Sequence, residues 1–244
     1  MIAIRNLGKA YNQIIVLNIN KLVINKGEIL GFVGNNGAGK TTLFHLLLDL
    51  IKADKGEVLS GKWNVAKTEN WKDYTGSYLD EGFLIDFLTP EEFFYFIGNI
   101  YGLSKLEVDK KISMYKSFFN DEIFCQRKKY IRDFSKGNKQ KIGIVSTIIT
   151  DPKVMILDEP FNSLDPTSQI VLKRILIDYN KRTGATILIS SHDLNHVTDI
   201  CQRIVLLEKG LVIRDIQNDN GSALAELNEY FSVEESFPEA NIEL

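Results

Sequence analysis

The stretch Gly34-Asn35-Asn36-Gly37-Ala38-Gly39-Lys40-Thr41-Thr42 constrains this chain more than any other. It has the spacing of a phosphate loop: Gly, four residues, Gly-Lys, then Ser or Thr. The apolar run Ile29-Leu30-Gly31-Phe32-Val33 leads in and reads as a buried strand; Thr42-Leu43-Phe44-His45-Leu46-Leu47-Leu48 leads out and reads as a helix. Gly34, Gly37 and Gly39 let backbone N–H groups turn inward and approach phosphate oxygens without a Cβ in the way. The helix start adds unsatisfied N–H donors and a partial positive charge. Lys40 supplies a full charge for β- and γ-phosphates, and the Thr41 hydroxyl suits Mg²⁺, which is held mainly by oxygens. A glycine-rich turn with a chance lysine is the competing reading, and the strand and helix flanks argue against it. Alone, the motif implies a nucleoside triphosphate site and no more.

Composition narrows the class. With 244 residues, 44% apolar and 25% charged, the chain suits one large domain or two closely joined ones with a real core. A net charge of −3 is not the electrostatic footprint of a nucleic-acid binder. Cys125 and Cys201 lie far apart without metal-ligand spacing, so packing roles in a reducing compartment are expected. Met1-Ile2-Ala3-Ile4-Arg5 begins like a strand rather than a signal peptide. No apolar run approaches the ~20 residues that span a bilayer, so work at a membrane would need another chain to provide the span.

In chain order, Ile2 and Ile4 start one strand and Val16 to Ile24 give a second. Asn25-Lys26-Gly27-Glu28 then turns into the phosphate-loop strand. Tyr11 falls in the first loop, where an aromatic either packs or stacks on a purine base. Ala53-Asp54-Lys55-Gly56 is a turn, Gly56 to Leu59 a short strand and Gly76-Ser77-Tyr78-Leu79 another, ended by Asp80-Glu81-Gly82. Residues 63–72 carry no assignable pattern.

From Phe83 to Ile149 the period is helical. Thr89-Pro90-Glu91-Glu92 has the cap, proline and first-turn acids of a helix start. Ser104-Lys105-Leu106-Glu107 has the pattern of a capping box. Phe93, Phe94, Phe96, Ile97 and Ile100 form a stripe expected to be core, and Arg127-Lys128-Lys129 a solvated basic face. Ser135 precedes an apolar helix, either as a plain N-cap or, with Gly137, as a second anion site.

The run Val154-Met155-Ile156-Leu157 suggests a parallel strand buried on both faces. Asp158 and Glu159 stand at its carboxyl end, where open α/β sheets bind ligands. A buried carboxylate needs a cation or a partner. Asp158 can contact Mg²⁺, directly or through water, and Glu159 can accept a proton from an attacking water; ordinary loop acids are the alternative. Ser163-Leu164-Asp165-Pro166 caps a helix to about Lys181, ended by Thr183-Gly184. Thr186 to Ser190 is another buried strand, with His192 just beyond its end, either structural or bonded to a γ-phosphate or the attacking water. Ile204 to Ile213 form a hairpin around Glu208-Lys209-Gly210. Past Ile216 the chain turns polar and acidic, with a short helix at Ser222 to Phe231 and weak order from Glu234 to Leu244.

Together and in this order, the motifs resemble the nucleotide-binding subunit of an ATP-binding cassette (ABC) transporter over roughly residues 1–215. That resemblance implies an α/β fold: a P-loop NTPase (RecA-like) core, an N-terminal antiparallel β subdomain and an inserted α-helical signature subdomain at about 83–150. A short, partly disordered extension follows at 216–244. It implies that Tyr11 stacks on adenine and that Gly34, Asn35, Asn36, Gly37, Ala38, Gly39, Lys40, Thr41 and Thr42 form Walker A. Val154 to Glu159 match Walker B with its catalytic glutamate, Ser163-Leu164-Asp165 the D-loop, and His192 the switch histidine. Ser135 to Gln140 match the signature, the family's specific mark, with Ser135, Gly137 and Asn138 against ATP.

Two positions depart from the family pattern. The signature usually reads Leu-Ser-Gly-Gly-Gln; here it is Phe134-Ser135-Lys136-Gly137-Asn138, and the lysine resembles exporter ATPases with a separate permease chain. The Q-loop glutamine is replaced by Glu81, which can accept from metal-bound water or contact Mg²⁺ but cannot donate as an amide does.

The implied activity is ATP hydrolysis, with ATP and Mg²⁺ as cofactors. Two copies would close head to tail, each ATP lying between Walker A of one chain and Ser135 to Gly137 of the other. Residues 83–130 or so would dock a transmembrane permease. The expected place is the cytoplasmic face of the membrane, peripheral and held through the permease, with export favoured and no nucleic acid. ABC ATPases also serve DNA repair, chromosome organisation and translation, but those carry coiled coils, zinc modules or tandem cassettes. A non-hydrolysing sensor is the third reading, and Glu159 argues against it.

Overall fold

The computed structural model describes residues 1–119, 123–124, 129–219 and 221–235, the last three by backbone alone. Cys125, most of the Arg127-Lys128-Lys129 run and most of the Glu234 to Leu244 tail lie outside the described residues.

A long hairpin opens the chain, β1 (Ile2–Tyr11) and β2 (Ile14–Ile24). Asn12 and Gln13 both take positive φ, 48° and 68°, which closes a two-residue turn matched to strand twist. Tyr11 is therefore the last residue of β1, paired with Ile14, and not a loop residue. Next come β3 (Ile29–Val33), α1 (Lys40–Leu47), β4 (Lys55–Ser60), β5 (Trp63–Asn64) and β6 (Thr75–Tyr78). The helical stretch holds α2 (Pro90–Ile100), α3 (Lys105–Ser113), α4 (Lys116–Phe119) and α5 (Lys136–Ile148). Then follow β7 (Val154–Leu157), α6 (Pro166–Thr183), β8 (Thr186–Ser191), α7 (Leu194–Ile200), β9 (Arg203–Glu208), β10 (Leu211–Gln217) and α8 (Ala223–Glu235).

The strands form two sheets. One is antiparallel, ordered β2-β1-β4-β5. The other is ordered β10-β9-β3-β8-β7-β6; its five strands β9, β3, β8, β7 and β6 run parallel, and β10 returns antiparallel. This order sets the ends of β3, β8 and β7 side by side, although more than a hundred residues separate β3 from the other two.

Every residue of β3, β7 and β8 is buried. Their alternation divides between two cores rather than between core and water. Ile29, Val33, Met155, Leu157, Ile187 and Ile189 face the helical side, whereas Leu30, Phe32, Val154, Ile156 and Leu188 face α1 and the antiparallel sheet. A strand covered on both faces has no polar side to show, hence the unbroken apolar runs.

The helix starts match their sequence signals. Thr89 and Ser104 each cap their helix through a reciprocal box with Glu92 and Glu107. The α2 stripe is only partly core. Phe93 and Phe94 are buried, but the 3.6-residue period turns Phe96 and Ile100 outward. At the other end of the chain, the 215/216 boundary cuts strand β10. Beyond it Asn218 is buried and bonds the carbonyls of Thr198 and Cys201 at 2.8 and 2.7 Å, while Ala223 and Leu227 join the helical-side core.

Candidate functional site

The phosphate loop joins β3 to α1. Gly39 has φ 103°, and a Cβ there would stand 2.9 Å from the Val16 carbonyl oxygen, so only glycine fits without strain. Ala38 donates to the Asn35 carbonyl at 3.0 Å, which curls the loop. No acidic residue occupies the first turn of α1, so its positive end is left for an anion. Val16, Asn36, Gly37, Ala38, Gly39, Lys40, Thr41, Thr42 and Glu159 line a cleft of about 300 Å³.

In and beside this cleft the side chains hold one another. Lys40 is buried, donates to the Gly34 carbonyl at 2.6 Å and to Asn35 at 3.4 Å, and faces the Glu159 carboxylate at 3.7 Å. Thr41 Oγ1 donates to the Asp158 carboxylate at 2.7 Å, and the Ser190 hydroxyl donates to its other oxygen. Asp158 is thus buried with two hydroxyl partners. His192 Nδ1 lies 3.0 Å from Glu159 Oε2. Lys40, Thr41, Asp158, Glu159 and His192, chosen from three distant stretches of sequence, meet at the ends of β3, β7 and β8.

Thr41 and Asp158 fit a magnesium ion. They present a hydroxyl and a carboxylate within hydrogen-bond distance of each other, and Mg²⁺ needs only one or two protein oxygens beside phosphate and water. Among the described residues no group of three or more His, Cys, Asp or Glu side chains gathers to form a complete protein cage.

The other expected residues stand outside the cleft of their own chain. Tyr11 ends the hairpin whose second strand supplies Val16; its ring is half exposed, with the Lys9 ammonium 5.2 Å from the ring centre. Ser135 caps α5 by accepting from the Asn138 N–H at 3.3 Å, and Gly137 and Asn138 sit in that first turn. Asp165 caps α6 and lies 3.8 Å from Lys141; bonds from the Ser168 hydroxyl and N–H hold its carboxyl below the usual range. Glu81 opens a short 3₁₀ turn after β6, and its carboxylate faces Lys136 at 3.6 Å rather than the Thr41–Asp158 pair.

Sequence reasoning passed over Ser190, which donates to Asp158 and accepts from the Glu159 N–H at 2.8 Å. A serine inside a fully buried apolar strand was the available signal, because it must find a partner.

A glycine cradle, a buried lysine and a Thr–Asp pair at the carboxyl edge of a parallel sheet define a phosphate-loop nucleotide-binding protein. More narrowly, the chain belongs to the ABC transporter family, whose model matches residues 17–162. An ABC transporter ATP-binding protein of Methanocaldococcus jannaschii is 33% identical over 215 residues, covering 87% of this chain and 76% of the relative. The ABC transporter ATP-binding protein NatA of Bacillus subtilis is 33% identical over 194 residues, covering 79% and 78%. A Synechocystis ABC transporter ATP-binding protein is 35% identical over 190 residues, of which the matched part is 78% of this chain but only 53% of the relative.

Among solved structures, the ATP-binding subunit of an ABC transporter superposes with a TM-score of 0.84 at 26% identity, covering 95% of this chain and 99% of that one. A dimeric post-hydrolysis ATP-binding cassette bound to ADP and phosphate superposes at 0.80 with 24% identity, covering 90% and 99%, a likeness of fold. The expected α/β cassette fold is the observed one, and ATP binding and hydrolysis are the chemistry of the family.

Proposed function

We propose that the chain is the ATP-hydrolysing subunit of an ABC transporter, working as a head-to-tail pair beneath a transmembrane permease. The convergence of Lys40, Thr41 and Glu159 in one cleft, with Asp158 and His192 bonded to them at its edge, carries this reading. Residues Gly34 to Thr42 wrap the phosphates, with Lys40 against the β- and γ-groups. Tyr11 stacks on adenine from the hairpin end. Thr41 and Asp158 would hold Mg²⁺, which would supply charge neutralisation at the phosphate oxygens, and Glu81 would join them as an oxygen acceptor only on leaving its 3.6 Å contact with Lys136. Glu159 accepts the proton of the attacking water, and His192 orients that carboxylate through its 3.0 Å contact.

In the pair, Ser135, Gly137 and Asn138 of one copy contact the nucleotide of the other, since a capped helix start with glycine presents N–H donors to phosphate. Asp165 lies along the same seam. Nucleotide then favours the closed pair, and hydrolysis releases it. Exposed Phe87, Ile100 and Leu106 in the segment after β6 support permease docking there. The lysine at 136 favours export. Among the described residues no helix is long and apolar enough to cross a membrane, so this reading puts the chain on the cytoplasmic face through its partner.

The test is phosphate release from ATP by the purified chain. Release that requires Mg²⁺ and falls to background in Lys40→Ala is expected; release without Mg²⁺, or none, contradicts the ATPase reading. Capture of the chain from native membranes should recover a polytopic membrane protein, and its repeated absence would contradict the permease.

A further inference from the structure

The loop between β7 and α6 holds two non-glycine residues in the left-handed region, Glu159 at φ 46° and Ser163 at φ 62°. Such residues persist only where their surroundings hold them. The carbonyls of these same two residues are the ones that meet α5. Gln140 Nε2 donates to the Glu159 carbonyl at 3.2 Å, from a residue only 3% exposed. Gly137 packs so closely that a Cβ would stand 2.5 Å from the Ser163 carbonyl oxygen. Buried Lys141 adds the 3.8 Å ion pair with Asp165. From the opposite side, Ser190 accepts the Glu159 N–H. The backbone of Glu159 is therefore gripped on both sides of its Cα, its N–H by β8 and its carbonyl by α5.

We propose that Gln140 is a positioning residue for Glu159: its amide fixes the peptide that carries the proton acceptor, so α5 sets where that carboxylate points. This rests on the ATPase reading above. Without the Gln140 donor, the Asn162 N–H, at 3.1 Å, is the one contact that still meets the Glu159 carbonyl among the described residues. The left-handed peptide is then free to relax, and the carboxylate moves with it. The same helix carries Ser135 at its start, about one and a half turns earlier. A shift of Ser135 on meeting the partner's nucleotide therefore reaches the proton acceptor of its own site through one rigid element.

Two variants of the full chain test this, Gln140→Leu and Gln140→Glu, by steady-state ATP hydrolysis and by titration with a fluorescent ATP analogue between about pH 6 and 9. Leu fills similar space without a donor. Its kcat should fall about ten- to a hundredfold, the effect of a small misplacement, while analogue affinity stays within about twofold. The Glu variant distinguishes positioning from packing. A protonated carboxyl donates to the Glu159 carbonyl and an ionised one repels it, and burial favours the protonated form. Its kcat relative to wild type should therefore rise as pH falls, while the Leu ratio stays flat. Wild-type kcat in both variants at every pH would overturn the proposal. So would a parallel loss of kcat and affinity with a flat Glu ratio. If the Leu variant does not fold, Gln140→Met takes its place with the same expectations. A wild-type chain that hydrolyses no ATP would instead remove the ATPase reading.

Discussion

Glu159→Gln should drive nucleotide binding and turnover in opposite directions, and the geometry gives the sizes. The carboxylate stands 3.7 Å from the Lys40 ammonium, with 22% of the Glu159 side chain exposed. At an effective dielectric near 20, unit charges at that separation attract by about 4.5 kcal/mol. Solvent screening at a partly open cleft leaves only part of this to be recovered, and Lys40 keeps its bonds to the Gly34 and Asn35 carbonyls. Recovery of roughly a quarter is about 1 kcal/mol, or about fivefold tighter binding of a triphosphate that competes with the carboxylate for Lys40. Glutamine keeps the shape and can still bond His192, so the cradle is undisturbed. Loss of the proton acceptor should meanwhile lower kcat by about 10² to 10⁴. Equilibrium titration with a fluorescent ATP analogue reads the first effect and phosphate release the second. Weaker binding in the variant, or turnover within a few-fold of wild type, would refute the roles given to this pair.

Two further predictions concern stability. Thr89→Ala removes an N-cap that accepts from the Glu92 N–H while Glu92 bonds back to the Thr89 N–H at 2.8 Å; it should cost about 1 kcal/mol and lower Tm by about 2–4 °C, and an unchanged Tm would rule the box out as a contributor. His196 lies against Phe161, with ring centres 4.7 Å apart, and burial lowers its pKa against the pulls of Asp193 and Asp199. Because the folded value is the lower one, the unfolded chain takes up the proton first, so stability is full above about pH 6.5 and declines as pH falls below it. His196→Gln should flatten the fall of Tm between about pH 7 and 5, and an unaltered slope would clear His196 of that role.

Much of the site could be read because its determinants are contiguous. The phosphate loop is one unbroken stretch, and Asp158 and Glu159 directly follow an apolar run whose burial on both faces required a parallel strand. The capping boxes at Thr89 and Ser104 are likewise local, each closed within four residues. What escaped depends on contacts between distant segments. The role of Ser190 exists only because β8 lies between β3 and β7, and that of Gln140 only because α5 packs on the loop after β7. Residues 63–72 gave no pattern because β5 is two residues long and the rest is held by scattered bonds, such as Trp71 Nε1 to the Val65 carbonyl at 3.1 Å. The sequence places Tyr11 in a loop, one residue type short of showing the hairpin: the left-handed turn at Asn12 and Gln13 lacks glycine, which usually announces it.

In the proposed pair, one ATP is held between the glycine cradle of one copy and the serine-capped helix of another. The most direct measurement is the molar mass of Glu159→Gln by analytical ultracentrifugation, with and without Mg²⁺ and ATP. A monomer without nucleotide and a doubled mass with it are expected, and adding Ser135→Arg to the same variant should abolish the doubling while analogue binding persists. A mass that stays monomeric when every copy carries ATP would contradict the claim.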